Sequence, residues 1–125
     1  MRPLPFAESD PRLTARRIKL FAHTLFPQHE CSLWVDGSKR IRRDLTPLLA
    51  EMARAPLSLL LHPNRDCAYD EAETCIRLGR ANPQALAAQA ASYRAEQFPA
   101  HQGLYETSVL FRRHTPEVAN LMESW

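Results

Sequence analysis

The chain has 125 residues, 45% of them hydrophobic and 24% charged, which is ordinary globular composition with enough apolar mass for a core and too much for a disordered chain. Sixteen Lys and Arg against fourteen Asp and Glu leave a formal net charge of +2, too balanced for charge alone to indicate a nucleic-acid partner. Three cysteines, Cys31, Cys67 and Cys75, form an odd set without metal-binding or redox spacing; they read as reduced thiols, and a disulfide framework is not expected.

The N-terminus, MRPLPFAESDPR, is proline-rich over residues 1–11 and lacks the apolar core of a signal peptide. No apolar run approaches the roughly 18 residues of a membrane span, so a cytoplasmic protein is expected. In DPRLTARRIKLFAHTLF, residues Leu13, Ile18, Leu20, Phe21, Leu25 and Phe26 fall on one helical stripe, with Asp10 as cap, Pro11 in the first turn and Pro27 as terminator. The run CSLWV reads as a short strand whose continuous hydrophobicity points to a parallel or mixed sheet covered on both faces. Thr46 and Pro47 open a short helix to about Arg54.

LSLLLH, after Pro56, is a second apolar strand. DEAETCIRLG predicts a helix that stops at Gly79 in a left-handed cap. Asn82 and Pro83 start an alanine-rich helix, and Pro99 and Gly103 punctuate the loop that follows. TSVLFRR alternates into a third strand, and Pro116 begins a last helix. The fold class is α/β: a mixed sheet flanked by helices, in one domain over residues 12–125.

Polar residues gather where strands end. Asp36, Gly37 and Ser38 follow the first strand, where a carboxylate suits magnesium or manganese and a glycine lets a phosphate or sugar approach the backbone. An Asp-Gly turn closing a hairpin explains the same dipeptide. After the second strand come His62, Asn64, Arg65, Asp66, Tyr69, Asp70 and Glu71, a cluster able to hold a polyhydroxylated substrate through Arg65 and Asp66. The acids Asp70 and Glu71 also suit a helix start. Glu106 precedes the third strand, and Arg112, Arg113 and His114 close it; that charge suits a diphosphate, and also an edge strand guarding against aggregation. The basic clusters around Arg16 and Arg40 read as solvated surface. With only three glycines, none clustered, a phosphate-binding loop is excluded, and no nucleophile-elbow pattern accompanies Ser38, His62 and Asp66.

DPRLTARRIKLFAHTLFPQHECSLWVDGSKRI, LHPNRDCAYDEAETC, YRAEQFPAHQGLYETSVLFRRH and NLMESW together resemble the glycosyltransferase-like domain of unknown function shared by plant mucilage-related and turgor-related proteins and many bacterial proteins. Its most specific parts are Trp34-Val35-Asp36-Gly37, the block from His62 to Glu71, and Gly103 to Glu106. The resemblance implies the A-type fold of nucleotide-sugar-dependent transferases, in which an Asp-X-Asp element holds a divalent cation, Mn²⁺ or Mg²⁺, against a nucleotide diphosphate. Asp36 would then be the metal carboxylate, with Ser38 in place of the second acid, and His114 a later metal ligand. Glu106 and Asp66 would be the catalytic acids. Trp34, Gly37, Ser38, His62, Arg65, Thr107 and Arg112 would contact substrate.

The implied partners are a nucleotide-sugar donor and a polysaccharide or glycoconjugate acceptor. The resemblance also implies upstream strands and a segment beyond the final tryptophan that this sequence does not carry. A partial domain is therefore expected: a truncated product, a minimal relative, or half of a split or oligomeric enzyme completed by a second copy or another chain. The alternative is a non-catalytic relative that binds carbohydrate or a partner through the same residues.

Overall fold

The structure is a computed structural model describing residues 10–125; the proline-rich segment at residues 1–9 lies outside the described residues. The elements run α1 (Pro11–Leu20), α2 (Ala22–Leu25), β1 (Cys31–Val35), α3 (Thr46–Met52), β2 (Leu57–Leu61), α4 (Ala68–Arg77), α5 (Pro83–Ala95), β3 (Tyr105–Arg113) and α6 (Pro116–Ser124). Local chemistry sets most of their ends. Asp10 Oδ1 accepts from the Arg12 amide at 2.8 Å ahead of Pro11, and Asn82 Oδ1 accepts from the Ala85 amide at 3.0 Å ahead of Pro83.

Gly79, with φ of +62°, ends α4 by a Schellman pair: its own amide donates to Ile76 O at 3.0 Å and the Arg80 amide to Cys75 O at 2.9 Å. The same pair closes α5 around Gln97, whose φ of +58° is a conformation that costs a non-glycine residue about 1 kcal/mol.

The three strands form one sheet in the order β1-β3-β2. β1 lies antiparallel to β3, with Cys31 opposite Arg113 and Val35 opposite Val109. β2 is antiparallel to β3 as well: the Arg113 amide donates to Pro56 O at 2.8 Å and the His62 amide to Leu104 O at 2.7 Å. The α/β class therefore holds, and the strand directions are antiparallel where continuous apolar runs suggested parallel or mixed pairing. Burial explains the difference. β1 and β2, flanking strands, are only half-buried, while the central strand carries Leu110, Phe111 and Arg112 fully buried in succession, so both faces are covered only there.

The chain divides into two compact units, residues 10–59 with 107–125, and residues 60–106. In the first, Ala22, Met52, Leu110, Phe111, Val118 and Met122 make the buried core. In the second, α4 packs on α5, and Cys67 and Ala90 are its buried apolar residues. There Tyr69 donates to Phe98 O at 2.7 Å, and the Arg94 guanidinium lies 4.8 Å from the Tyr69 ring centre.

Candidate functional site

In the first unit, β1 delivers Asp36 to a tight turn in which the Lys39 amide donates to Asp36 O at 2.9 Å. The turn closes no hairpin, because β1 pairs with β3 and the Asp36 amide donates to Ser108 O at 2.8 Å. Trp34 Nε1 donates to Asp36 Oδ1 at 2.5 Å, so the indole fixes the carboxylate. Lys19, from α1, reaches the same oxygen at 3.6 Å, donates to Thr107 Oγ1 on β3 at 2.8 Å, and sits 5.8 Å from the Trp34 ring centre.

Burial pushes the Lys19 pKa below its ordinary value and outweighs the opposite pull of Asp36. A cavity of about 300 Å³ opens beside this lysine, lined by Arg16, Lys19, Leu20, Thr107 and Trp125. Arg16 and Lys19 stand three residues apart on α1 and so share a face. The basic cluster assigned to solvated surface thus contributes Arg16 and Lys19 to the cavity wall. The spacing of two cations on a helix stripe was the available signal.

The residues present do not fit a divalent cation at Asp36. Asp36 offers one carboxylate, one oxygen of which already holds an indole N–H and an ammonium, and Ser38 is exposed in the turn. Among the described residues, the grouping of three or more His, Cys, Asp or Glu donors lies elsewhere, at Cys67, Asp70 and His101.

Nor does the structure bring His114 to Asp36. The register sets Cys31 opposite Arg113 and Val35 opposite Val109, so Asp36 and His114 stand at opposite ends of the β1–β3 ladder, roughly 17–20 Å apart at strand rise. His114 instead meets Ser32 Oγ at 3.0 Å and the edge of the His23 ring, and burial pushes its pKa down.

Arg112 is a buried structural cation, not a surface or edge residue. Its Nε donates to Ser32 Oγ at 3.1 Å and one terminal nitrogen to Leu20 O at 3.1 Å, and burial lowers its pKa to about 10. Thr107 faces Lys19; Glu106, the next residue along β3, points to the strand's other face. Gly37 has no positive φ, and a Cβ there would meet nothing within 4 Å, so its smallness serves the open turn rather than a strained backbone.

In the second unit, His62 Nδ1 accepts amides from Asn64 at 3.3 Å and Arg65 at 3.1 Å. A neutral imidazole with Nδ1 accepting carries its proton on Nε2. Arg65 also approaches His62 Nε2 at 3.2 Å, and Glu71 lies 4.0 Å from the same nitrogen. Arg65 Nε is ion-paired with Glu71, and Glu71 also accepts from the Cys75 thiol at 3.3 Å. Desolvation opposes ionisation of Glu71, but its hydrogen bonds from Arg65 and Cys75 leave its pKa below the usual value.

Arg65 and Asp66 do not act as a pair. Asp66 Oδ1 lies 2.9 Å from His101 Nδ1, a contact that lowers the Asp66 pKa and raises that of His101. Cys67, fully buried, accepts backbone N–H groups of Asp70 and His101, which pull its thiol pKa down. Cys67 and His101 carried no motif spacing, which is why the sequence did not single them out.

An antiparallel sheet with helices, and a cavity lined by Arg16, Lys19 and Trp125 beside a strand-end carboxylate, define an α/β domain. A family model described as TOD1/MUCI70, glycosyltransferase-like domain, matches residues 1–124, and the chain belongs to that family. No curated protein and no solved structure matches it.

Proposed function

We propose that the protein transfers a sugar from a nucleotide sugar to a polysaccharide or glycoconjugate acceptor, with the donor's diphosphate held by Lys19 and Arg16. The observation that carries this reading is Lys19 Nζ, shared between Thr107 Oγ1 and Asp36 at the cavity wall. A fixed ammonium in a partly dehydrated site stabilises charge that develops on a leaving group more than it would in water.

In the transfer, the bond between the anomeric carbon and the β-phosphate oxygen breaks, and its electron pair leaves on that oxygen. The acceptor hydroxyl oxygen bonds the anomeric carbon and gives its proton to the departing diphosphate. Lys19 and Arg16 neutralise the departing diphosphate, and Trp125 offers an aromatic wall on which the nucleobase stacks. Asp36 and Trp34 hold Lys19 in place until the anion arrives. Cytoplasmic action is part of the proposal, supported by three cysteines that remain free thiols.

The absence of a second acid beside Asp36 favours one other reading, a module that binds a nucleotide sugar or carbohydrate without turnover. Both readings predict that a nucleoside diphosphate raises the melting temperature in the presence of a chelator, because a ligand that binds only the folded form stabilises it. Release of nucleoside diphosphate from the nucleotide sugar, dependent on an acceptor, separates them: turnover supports the transferase and binding without turnover supports the module. No melting shift with any nucleoside diphosphate would contradict both.

A further inference from the structure

We propose that Cys67, Asp70 and His101 form a zinc site within residues 60–106, in which Asp66 orients the imidazole. The three side chains offer one sulfur, one oxygen and one nitrogen, all within 4.8 Å of one another. Around a single zinc ion such donors sit about 3.5 Å apart, so side-chain adjustments of about an ångström close the site. The mixture of thiol and imidazole selects zinc over magnesium or calcium, which take oxygen donors.

The fold brings the donors together from two places. Cys67 caps α4 and Asp70 stands in its first turn, three residues on and hence on the same side. His101 comes from the loop between α5 and β3, where its φ of +57° turns the chain sharply. Asp66 Oδ1 lies 2.9 Å from His101 Nδ1, which leaves Nε2 as the nitrogen for the metal. A carboxylate on the far nitrogen of a ligating histidine is the usual supporting arrangement, fixing tautomer and ring angle.

The Asp70 and His101 amides donate to the Cys67 sulfur, contacts that a zinc-bound thiolate keeps. Cys67 is buried while Asp70 and His101 are exposed, so the ion enters from solvent and a water completes a fourth position. Bound zinc would tie the loop carrying His101 to the start of α4. None of these residues belongs to the proposed diphosphate site, so the two proposals stand or fall separately.

The test uses the full chain, reduced and stripped with a chelator, then titrated with Co²⁺ as a spectroscopic substitute and with Zn²⁺. One equivalent of cobalt should give a thiolate-to-metal charge-transfer band, and zinc should raise the melting temperature. Both effects should disappear in Cys67→Ser and in His101→Ala, persist in a Cys31→Ser, Cys75→Ser double variant, and weaken about tenfold in metal affinity in Asp66→Asn. Because Cys67 is buried, its replacement can unfold the chain; His101 is exposed, so that variant decides. A missing cobalt band, or one that survives His101→Ala, overturns the site.

Discussion

The two units treat charge in opposite ways. In the first, cations outnumber their acidic partners: Arg112 is buried on a hydroxyl and a carbonyl, with no carboxylate partner among the described residues, and Lys19 shares the single carboxylate of Asp36. In the second, Arg65 is matched by Glu71, and Cys67, Asp66 and Asp70 surround one histidine. A region left with uncompensated positive charge is suited to an anion; one that gathers a thiol, carboxylates and an imidazole is suited to a cation.

The core of the first unit gives the largest expected effect. Leu110 is fully buried on the central strand, and Leu110→Ala should cost about 3 kcal/mol in denaturant unfolding, from lost transfer energy and the cavity left behind. A loss below about 1 kcal/mol would mean the central strand is not where this unit's stability resides. Lys19→Met should lower nucleoside-diphosphate affinity roughly ten- to hundredfold, the worth of a hydrogen bond to a charged group, with no loss of melting temperature. An unchanged affinity by calorimetry would remove the anion from the first unit.

In the second unit Glu71→Gln should cost about 1–2 kcal/mol, because Arg65 loses its ionised partner at a half-buried position, and should leave diphosphate affinity untouched. Gln97→Gly should raise stability by about 0.5–1 kcal/mol by relieving a left-handed backbone. Alkaline titration sharpens the contrast. Burial lowers the Lys19 pKa below its ordinary 10.5, so in the interval just under 10.5 the unfolded chain holds more protons than the folded one, and this group's contribution to stability rises with pH. Diphosphate affinity falls across the same interval as the ammonium is lost, and Lys19→Arg should abolish that fall.

Caps and strand runs were legible because they depend on neighbours in sequence. Asp10 with Pro11 and Asn82 with Pro83 start their helices where read, Gly79 ends one, and β2 begins after Pro56, although the helix read through to Phe26 breaks at Phe21 into α1 and α2. Strand direction was not, since an apolar run does not record whether its neighbour is parallel, and the central strand, the most buried, carries the arginine pair that looked like an edge. Asp36 and Thr107 were singled out, but Lys19, which joins them, looked like one more surface cation among Arg16 and Arg17. A lysine on a helix becomes a site residue only when a strand 88 positions later supplies its acceptor, and no local pattern encodes that meeting.

The central claim, that an ammonium and not a carboxylate-bound cation receives the diphosphate, is tested most directly by Asp36→Asn titrated with a nucleoside diphosphate in the presence of a chelator. Asp36 competes with the incoming anion for Lys19, so the variant should bind as tightly as the unaltered protein or more tightly. Binding that needs manganese and vanishes in Asp36→Asn would contradict the account.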